Sequence, residues 1–269
     1  MRTYRFSFYS LSKVEIGSRV ELPQQECHHV SNVLRLKEGD GVELVHFETG
    51  DIFQGTIGYE GERIFVLLVS QIIEQNNKKF NINLILGLTK PKTIDFIVEK
   101  SVEIGISKII IFKGNFSSIS LNTNQIDKLK DRWRRIVSAA IKQSGSSEVL
   151  SVEFKDDLSS ILDEIDIQNG GKHYLLTPPR WLSSVEKGSK ISSLTEKLNI
   201  DTSIGNLSLQ SASKLYDIYL MIGPEGGLSK QERDQVLLKG FSECYLVNNT
   251  LRTETAVIVA AGIASSFNF

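Results

Sequence analysis

Residues 220–264 read LMIGPEGGLSKQERDQVLLKGFSECYLVNNTLRTETAVIVAAGIA, two short apolar runs that each break into a loop and then open a helix. Tyr219 to Ile222 has strand length and stops at Gly223, and Pro224 cannot continue a ladder. Gly226 and Gly227 make a turn free of side chains. Ser229 is then a good N-cap with Glu232 three residues on, a capping-box spacing that predicts a helix to about Lys239. A second strand over Cys244–Val247 runs into Asn248 to Arg252, and a helix is expected from about Glu254. Two strand-to-helix loops of this kind are the geometry in which backbone amides meet a polar small molecule at the carboxyl ends of parallel strands. The same glycines also suit a tight turn alone. GPEGG lacks the GxGxxG spacing of a dinucleotide fold, which argues against NAD or FAD.

Upstream, Asn81 to Leu88 reads as a strand. KPKTIDFIVEKSVEIG follows, with Ile94, Ile97, Val98, Ser101 and Val102 on one helical face and Gly105 as its stop, before a strand over Lys108–Phe112. That β-α-β order calls for a parallel, right-handed crossover. Asn122 to Gln143 is the longest predicted helix; Leu129, Trp133, Ile136, Val137, Ala140 and Ile141 form its buried stripe, and Lys128, Lys130, Arg132, Arg134 and Arg135 lie opposite. Lys155 to Ile167 reads as a helix and Lys172 to Leu176 as a strand ending at TPP. Residues 179–216 are polar and weakly patterned, and read as a surface insertion. Ala256 to Ile263 is apolar nearly all round and reads as fully buried.

Residues 1–73 read as β, with short alternating runs such as Gly41–Phe47 and Ile64–Ser70 split by glycine-rich turns, and a small barrel is the natural closure. His28 and His29 fit a polar strand edge. The polar run EQNNKK at 74–79 marks a domain boundary, giving a first domain over 1–73 and a second over 80–269. At 269 residues the chain fits two modest domains or one large one, and 41% hydrophobic content suffices for a packed core. Its two cysteines, Cys27 and Cys244, show no metal spacing and suit a reducing compartment, and no run reaches membrane length, so the expected location is cytoplasmic. The net charge of -1 hides a basic middle: residues 74–150 carry 13 Lys+Arg against 7 Asp+Glu. A nucleic-acid face belongs there if there is one, although such a helix is also ordinary as a solvated face.

MIGPEGGLS followed about two dozen residues later by LRTETA resembles the SPOUT class of methyltransferases, within it the enzymes that methylate N3 of a uridine in small-subunit (16S) ribosomal RNA. HHVSNVLRLKEGD resembles the family's N-terminal PUA-like RNA-binding barrel at His29, Val33, Leu34, Arg35, Leu36, Gly39 and Asp40; Asn32 stands where a basic residue is common. Lys100, Ser101, Glu103 and Gly105 match a further family motif, with Thr93 in place of a lysine that Lys90 or Lys92 supplies. Gln143 matches a family glutamine, whereas Ser146 stands where relatives place arginine and Lys142 where some place glutamate, moving the positive charge by about one turn.

The resemblance implies an α/β fold: a C-terminal SPOUT domain with a parallel sheet and a deep trefoil knot, preceded by the PUA-like barrel. It implies S-adenosyl-L-methionine as cofactor, no metal, a homodimer, and 16S ribosomal RNA or the assembled small subunit as partner. Cofactor contacts are expected at Leu176, Thr177 and Pro178; at Ile222, Gly223, Pro224, Glu225, Gly226 and Gly227; and at Leu246, Val247, Asn248, Leu251 and Thr253. RNA contacts are expected at Arg5, Arg35, Lys90, Lys92, Lys100, Arg134 and Gln143.

Uridine N3 is protonated at neutral pH, so its attack on a methyl group needs the proton removed or the resulting anion stabilised. A carboxylate suits the first task and a guanidinium the second. Arg252 and Glu254 flank Thr253 after the second loop and are the candidate catalytic pair; ordinary electrostatics of a helix start is the other reading of them. Because the methyl donor is cationic, its cradle calls for carbonyls and at most one carboxylate, for which Glu225 is the candidate. Methylation of a ribose 2'-hydroxyl, or RNA binding without catalysis, remain the alternatives.

Overall fold

The computed structural model describes residues 4–8, 14–46, 49–73, 78–146, 148–165, 171–179, 191–203 and 215–268. They fall into two compact units, Met1–Asn76 with Val137–Val149 and Asn77–Ile136 with Leu150–Phe269. Among the described residues no helix is long and apolar enough to cross a membrane.

In the first unit, strands β1 (Tyr4–Phe8), β2 (Arg19–Glu21), β3 (Gly41–His46), β4 (Ile52–Glu60) and β5 (Arg63–Ile72) form a mixed sheet in the order β1-β3-β4-β5-β2. β1 runs parallel to β3 and the other pairings are antiparallel, with β1 and β2 at the two ends of the order. Alternation along the strands drives Phe6, Phe8, Val42, Leu44, Phe53, Ile57, Ile64, Val66 and Leu68 into one core. Residues 24–34 depart from the β reading: Gln24–His28 is helix α1, and His29–Leu34 continues it as a π-helical turn. The strand-edge placement of His28 and His29 is therefore corrected. Val30 is fully buried in the sheet's core, and that burial outweighs the weak helical pattern of HHVSNVL. Arg35 ends the turn in the left-handed conformation at φ 55°, the one non-glycine with positive φ among the described residues.

The second unit holds a six-stranded, all-parallel sheet in the order β11-β9-β10-β6-β7-β8. Its elements are β6 (Phe80–Gly87), α2 (Pro91–Ile104), β7 (Lys108–Phe112), α3 (Thr123–Ser144), β8 (Ser151–Lys155), α4 (Leu158–Glu164), β9 (Lys172–Leu176), α5 (Leu194–Ser203), β10 (Tyr216–Ile222), α6 (Lys230–Leu238), β11 (Ser242–Cys244) and α7 (Thr253–Ser266). The parallel sheet expected from the β-α-β reading is thus present. α2 begins with Pro91 and ends on Gly105 in the left-handed conformation, as its punctuation predicts. α3 begins in this unit and its last turns group with the first.

One face of the sheet, through Ile85, Ile110, Phe112, Leu175 and Met221, packs on α4 and α6 by way of Leu158, Ile161, Leu162 and Val236. On the other side α2 packs against α7, and α7 against α5, β6 and β10. The buried Asn268 closes the unit: its side-chain oxygen accepts from the amides of Lys79 and Phe80 at 3.1 and 3.0 Å, and its amide nitrogen donates to the Phe80 carbonyl at 3.0 Å.

Several expectations need correction. SVEFK is a strand, so α4 starts at Leu158 rather than Lys155; residues 166 and 167 lie outside the described residues. The second loop's strand is Ser242–Cys244, shorter and earlier than Cys244–Val247. In the stretch taken as a surface insertion, α5 buries Leu194 and Leu198 completely or nearly so, while 180–190 and 204–214 lie outside the described residues. α7 is not fully buried within one chain. Val257, Ala260, Ala261 and Ala264 are buried, Ile258, Val259 and Ile263 half-buried, and Gly262 exposed.

Candidate active site

The carboxyl ends of β9, β10 and β11 converge on a cavity of about 490 Å³, the size of a small-molecule site. Its walls are Leu176 to Pro179 after β9, Ile222 to Glu225 with Gly227 and Leu228 after β10, and Leu246, Val247, Asn249, Thr250 and Leu251 after β11, closed by Thr253 and Ala256 of α7. Lys230 and Arg233 reach the same wall from α6. Of the residues expected to hold a cofactor, all but Gly226 and Asn248 line this cavity.

The geometry of the β10 loop follows from close approaches. A Cβ on Gly87, at the end of β6, would stand 2.2 Å from the Pro224 nitrogen and 2.7 Å from the Gly223 carbonyl carbon. Only glycine lets the two strand ends meet in this way. The Gly227 amide donates to the Pro224 carbonyl at 2.7 Å and closes the turn. α6 then starts on the full capping box: the Ser229 hydroxyl accepts from the Glu232 amide, and the Glu232 carboxylate accepts from the Ser229 amide at 2.7 Å. The other oxygen of Glu232 accepts from the Asn115 amide at 2.8 Å, and Asn115 Nδ2 donates to Ser229 Oγ at 3.0 Å, so the loop after β7 is fastened to the same cap.

Charge at the cavity comes from Glu225, from the pair of Glu243 and Arg233, and from the exposed Lys230, which has no carboxylate partner among the described residues. The exposed Glu225 accepts from the buried Thr89 hydroxyl at 3.0 Å, which holds its carboxylate at the wall. Glu243, with a side chain only 8% exposed, takes a two-pronged bond from Arg233 at 2.8 and 2.5 Å and accepts from Thr177 Oγ at 2.8 Å. The Glu243 carboxylate holds Arg233 above its ordinary pKa and neutralises it, so the cavity does not repel a cationic ligand through this residue. Sequence reasoning missed Glu243 and Arg233, which are ten positions apart with no motif to join them. Cys244 behind them is fully buried, and burial pushes its thiol up to about 12, so it is no nucleophile at neutral pH. Among the described residues no cluster of His, Cys, Asp or Glu is placed to hold a metal ion.

Arg252 is the exposed N-cap of α7 with no side-chain cap bond, and Glu254 sits in the first turn. Neither lines the cavity, but both adjoin Thr253, which does. Neither makes an ion pair among the described residues.

The expected RNA contacts separate by how they are engaged. Arg35, Lys90, Lys92 and Gln143 are exposed. Arg5 is paired with Glu43 at 2.7 Å and also donates to the Gly145 carbonyl; Lys100 bridges Glu99 and Glu103 at 2.9 and 2.8 Å, and Arg134 meets Asp131 at 3.1 Å. Lys142 is bound to Glu26 and half-buried, so the charge that the sequence shifts to this turn is spent inside the protein. Arg132 meets Asp95 at 2.5 Å. Burial pushes the Asp95 carboxyl up, while Arg132 and the indole of Trp133 pull it down.

A model of the RNA methyltransferase domain family matches residues 76–265. This chain belongs to that family. Ribosomal RNA small subunit methyltransferase E of Bacillus subtilis (strain 168) is 23% identical over 260 residues, covering 96% of this chain and 94% of its own length. Ribosomal RNA small subunit methyltransferase E 2 of Borreliella burgdorferi is 27% identical over 233 residues, covering 86% and 84%. A crystal structure of a ribosomal RNA small subunit methyltransferase E from Neisseria gonorrhoeae, bound to S-adenosyl methionine, shares the fold with a TM-score of 0.74 at 24% identity, covering 99% of this chain and 98% of that one. For an RNA methyltransferase the cavity stands where open parallel sheets take ligands, outside the carboxyl ends of the strands.

Proposed function

We propose that this protein transfers a methyl group from S-adenosyl-L-methionine to N3 of a uridine in 16S ribosomal RNA. The observation that carries the reading is the cavity at the ends of β9, β10 and β11, with Arg252 and Glu254 next to its Thr253 wall. Membership of the RNA methyltransferase family supports it, as do relatives named for small-subunit ribosomal RNA over nearly the whole chain. The residues fit the cofactor: an apolar slot of about 490 Å³ edged by loop backbone, one available carboxylate at Glu225, and an arginine already neutralised. When bound, the cofactor supplies a methyl group made electrophilic by its sulfonium.

The loops 176–179, 222–227 and 246–251 hold adenosine and exclude water, with the Glu225 carboxylate on the cationic side. Glu254 takes the N3 proton, and Arg252 stabilises the negative charge spread over the base as the N3 lone pair becomes available. The segment 1–73 acts as the PUA-like RNA-binding domain and 80–269 as the catalytic domain. Arg35, Lys90, Lys92 and Gln143 face RNA, with Arg5, Lys100 and Arg134 contributing only where their carboxylate partners yield. The trefoil threading and the homodimer belong to the same reading, and the half-buried flank of α7 at Ile258, Val259 and Ile263 is apolar surface suited to a second copy.

A methyl on N3 blocks the Watson-Crick edge, so reverse transcriptase halts beside it, whereas a 2'-O-methyl leaves that edge free. Cells lacking the protein should lose one stop in 16S ribosomal RNA and regain it on complementation. Arg252→Ala should bind cofactor normally and fail to restore the stop. An unchanged stop pattern in the deletion strain would sink the N3 assignment.

A further inference from the structure

We propose that Phe116 is a stacking platform for an unstacked base of the RNA substrate beside the methyl-transfer site. Phe116 lies in the loop after β7 and is 54% exposed on a turn held by several hydrogen bonds. Gly114 and Ser117 close the turn under it, with the Ser117 amide donating to the Gly114 carbonyl and the Gly114 amide to Ser117 Oγ, both at 3.0 Å. Asn115 fastens it to the α6 capping box through its amide and its side chain. The ring is therefore presented by a rigid turn.

The position of this turn gives the ring its use. A Cβ on Gly226 would meet the Phe116 Cβ at 2.8 Å and its carbonyl oxygen at 2.9 Å, so Phe116 abuts the loop that forms the cavity's β10 wall. The neighbouring strand ends carry cations: Lys90 and Lys92 follow β6, Lys113 follows β7, and Lys230 opens α6 after β10. All four are exposed, and none has a carboxylate partner among the described residues; Lys113 donates instead to Ser120 Oγ at 3.1 Å. An exposed aromatic ring at strand ends that also carry cations free of carboxylate partners is the chemistry of single-stranded nucleic acid recognition, in which a base stacks on the ring and phosphates meet the lysines.

This role rests on the proposed function and deepens it. The contact with Gly226 runs through Cβ and the backbone, both of which alanine keeps, so Phe116→Ala should leave S-adenosyl-L-methionine affinity unchanged by calorimetry. It should lower kcat/KM for 16S ribosomal RNA roughly 5- to 150-fold, the range for removal of one base stack. Phe116→Trp should retain activity and Phe116→Leu should resemble alanine, because leucine matches the apolar bulk without the π-face. The salt dependence of RNA binding should keep its slope in Phe116→Ala, since no phosphate contact is removed. Unimpaired turnover in Phe116→Ala, full activity in Phe116→Leu, or a parallel loss of cofactor affinity would each overturn the stack while leaving the methyltransferase reading intact. A wild-type protein that binds cofactor yet modifies no RNA would instead overturn the proposed function, and this role with it.

Discussion

His173 provides a pH-dependent stability that can be calculated before it is measured. The ring is 5% exposed, stacks on Tyr219 at 5.1 Å and 7°, tilts against Phe241 at 5.2 Å, and leaves Nε2 buried without a partner among the described residues. Burial depresses its pKa from 6.5 to about 4; Lys172 and Lys239 act in the same direction and Asp217 opposes them. A folded-state pKa below the unfolded value means that the unfolded chain binds the extra proton. The contribution is therefore complete above pH 6.5 and is lost as pH falls from there through 4. At 1.36 kcal/mol per pH unit the loss is about 2 kcal/mol at pH 5 and about 3 kcal/mol at pH 4. His173→Phe keeps an aromatic ring between Tyr219 and Phe241 and has no nitrogen to protonate. Urea unfolding of wild type and variant at pH 8 and pH 5 isolates the residue, because every other titrating group is common to both. The variant should gain about 2 kcal/mol on wild type between the two conditions. Stability differences that stay equal at both pH values would refute the buried neutral imidazole.

Two further perturbations test the site and its support. Gly87→Ala places a methyl 2.2 Å from the Pro224 nitrogen; the loop at 223–227 must shift, with a stability loss of about 1–3 kcal/mol and at least a roughly tenfold loss of cofactor affinity, and an unchanged Kd would contradict the close approach. Arg132→Met strips the nearly buried Asp95 of its cation and should cost about 1–3 kcal/mol near neutral pH. Because burial raises the Asp95 pKa, protonation relieves the variant as pH falls, and adding Asp95→Asn should suppress the deficit; a deficit unaffected by either would assign Arg132 another task.

What the sequence discloses of this protein is local. The Ser229 and Glu232 spacing, the Gly105 stop and the strand at Lys108–Phe112 each appear where a few neighbouring residues place them, because caps and turns are settled within one helical turn. The loop after β10 was legible for the same reason, as Gly223 and Pro224 interrupt the apolar run, whereas the loop after β11 holds no glycine or proline and its expected contacts came from the family resemblance. Features settled by distant residues were not. Helix α1 and its π-helical turn depend on Val30 entering a core built from five strands, and Tyr59 donating to the Leu36 carbonyl beyond it. β8 has half-buried positions after its first residue and so no clear two-residue alternation. The Thr177, Glu243 and Arg233 network joins three elements, and Arg132 reads as a solvated cation until Asp95 of another helix is found beneath it.

The central strand β6 finds one neighbour, β7, within the next thirty residues, but its other neighbour, β10, is paired in a register that sets Phe80 against Tyr216. Its first residues are then held by Asn268. During synthesis, β6 emerges from the ribosome with half its hydrogen-bonding groups and one flank open, and must wait for more than a hundred residues to be translated. At about 5–20 residues per second that interval is on the order of ten seconds, during which an apolar strand edge is exposed. Completion of the sheet on that side of β6 is thereby deferred until β10 has been made, and over that interval the open edge is a site for unwanted strand pairing.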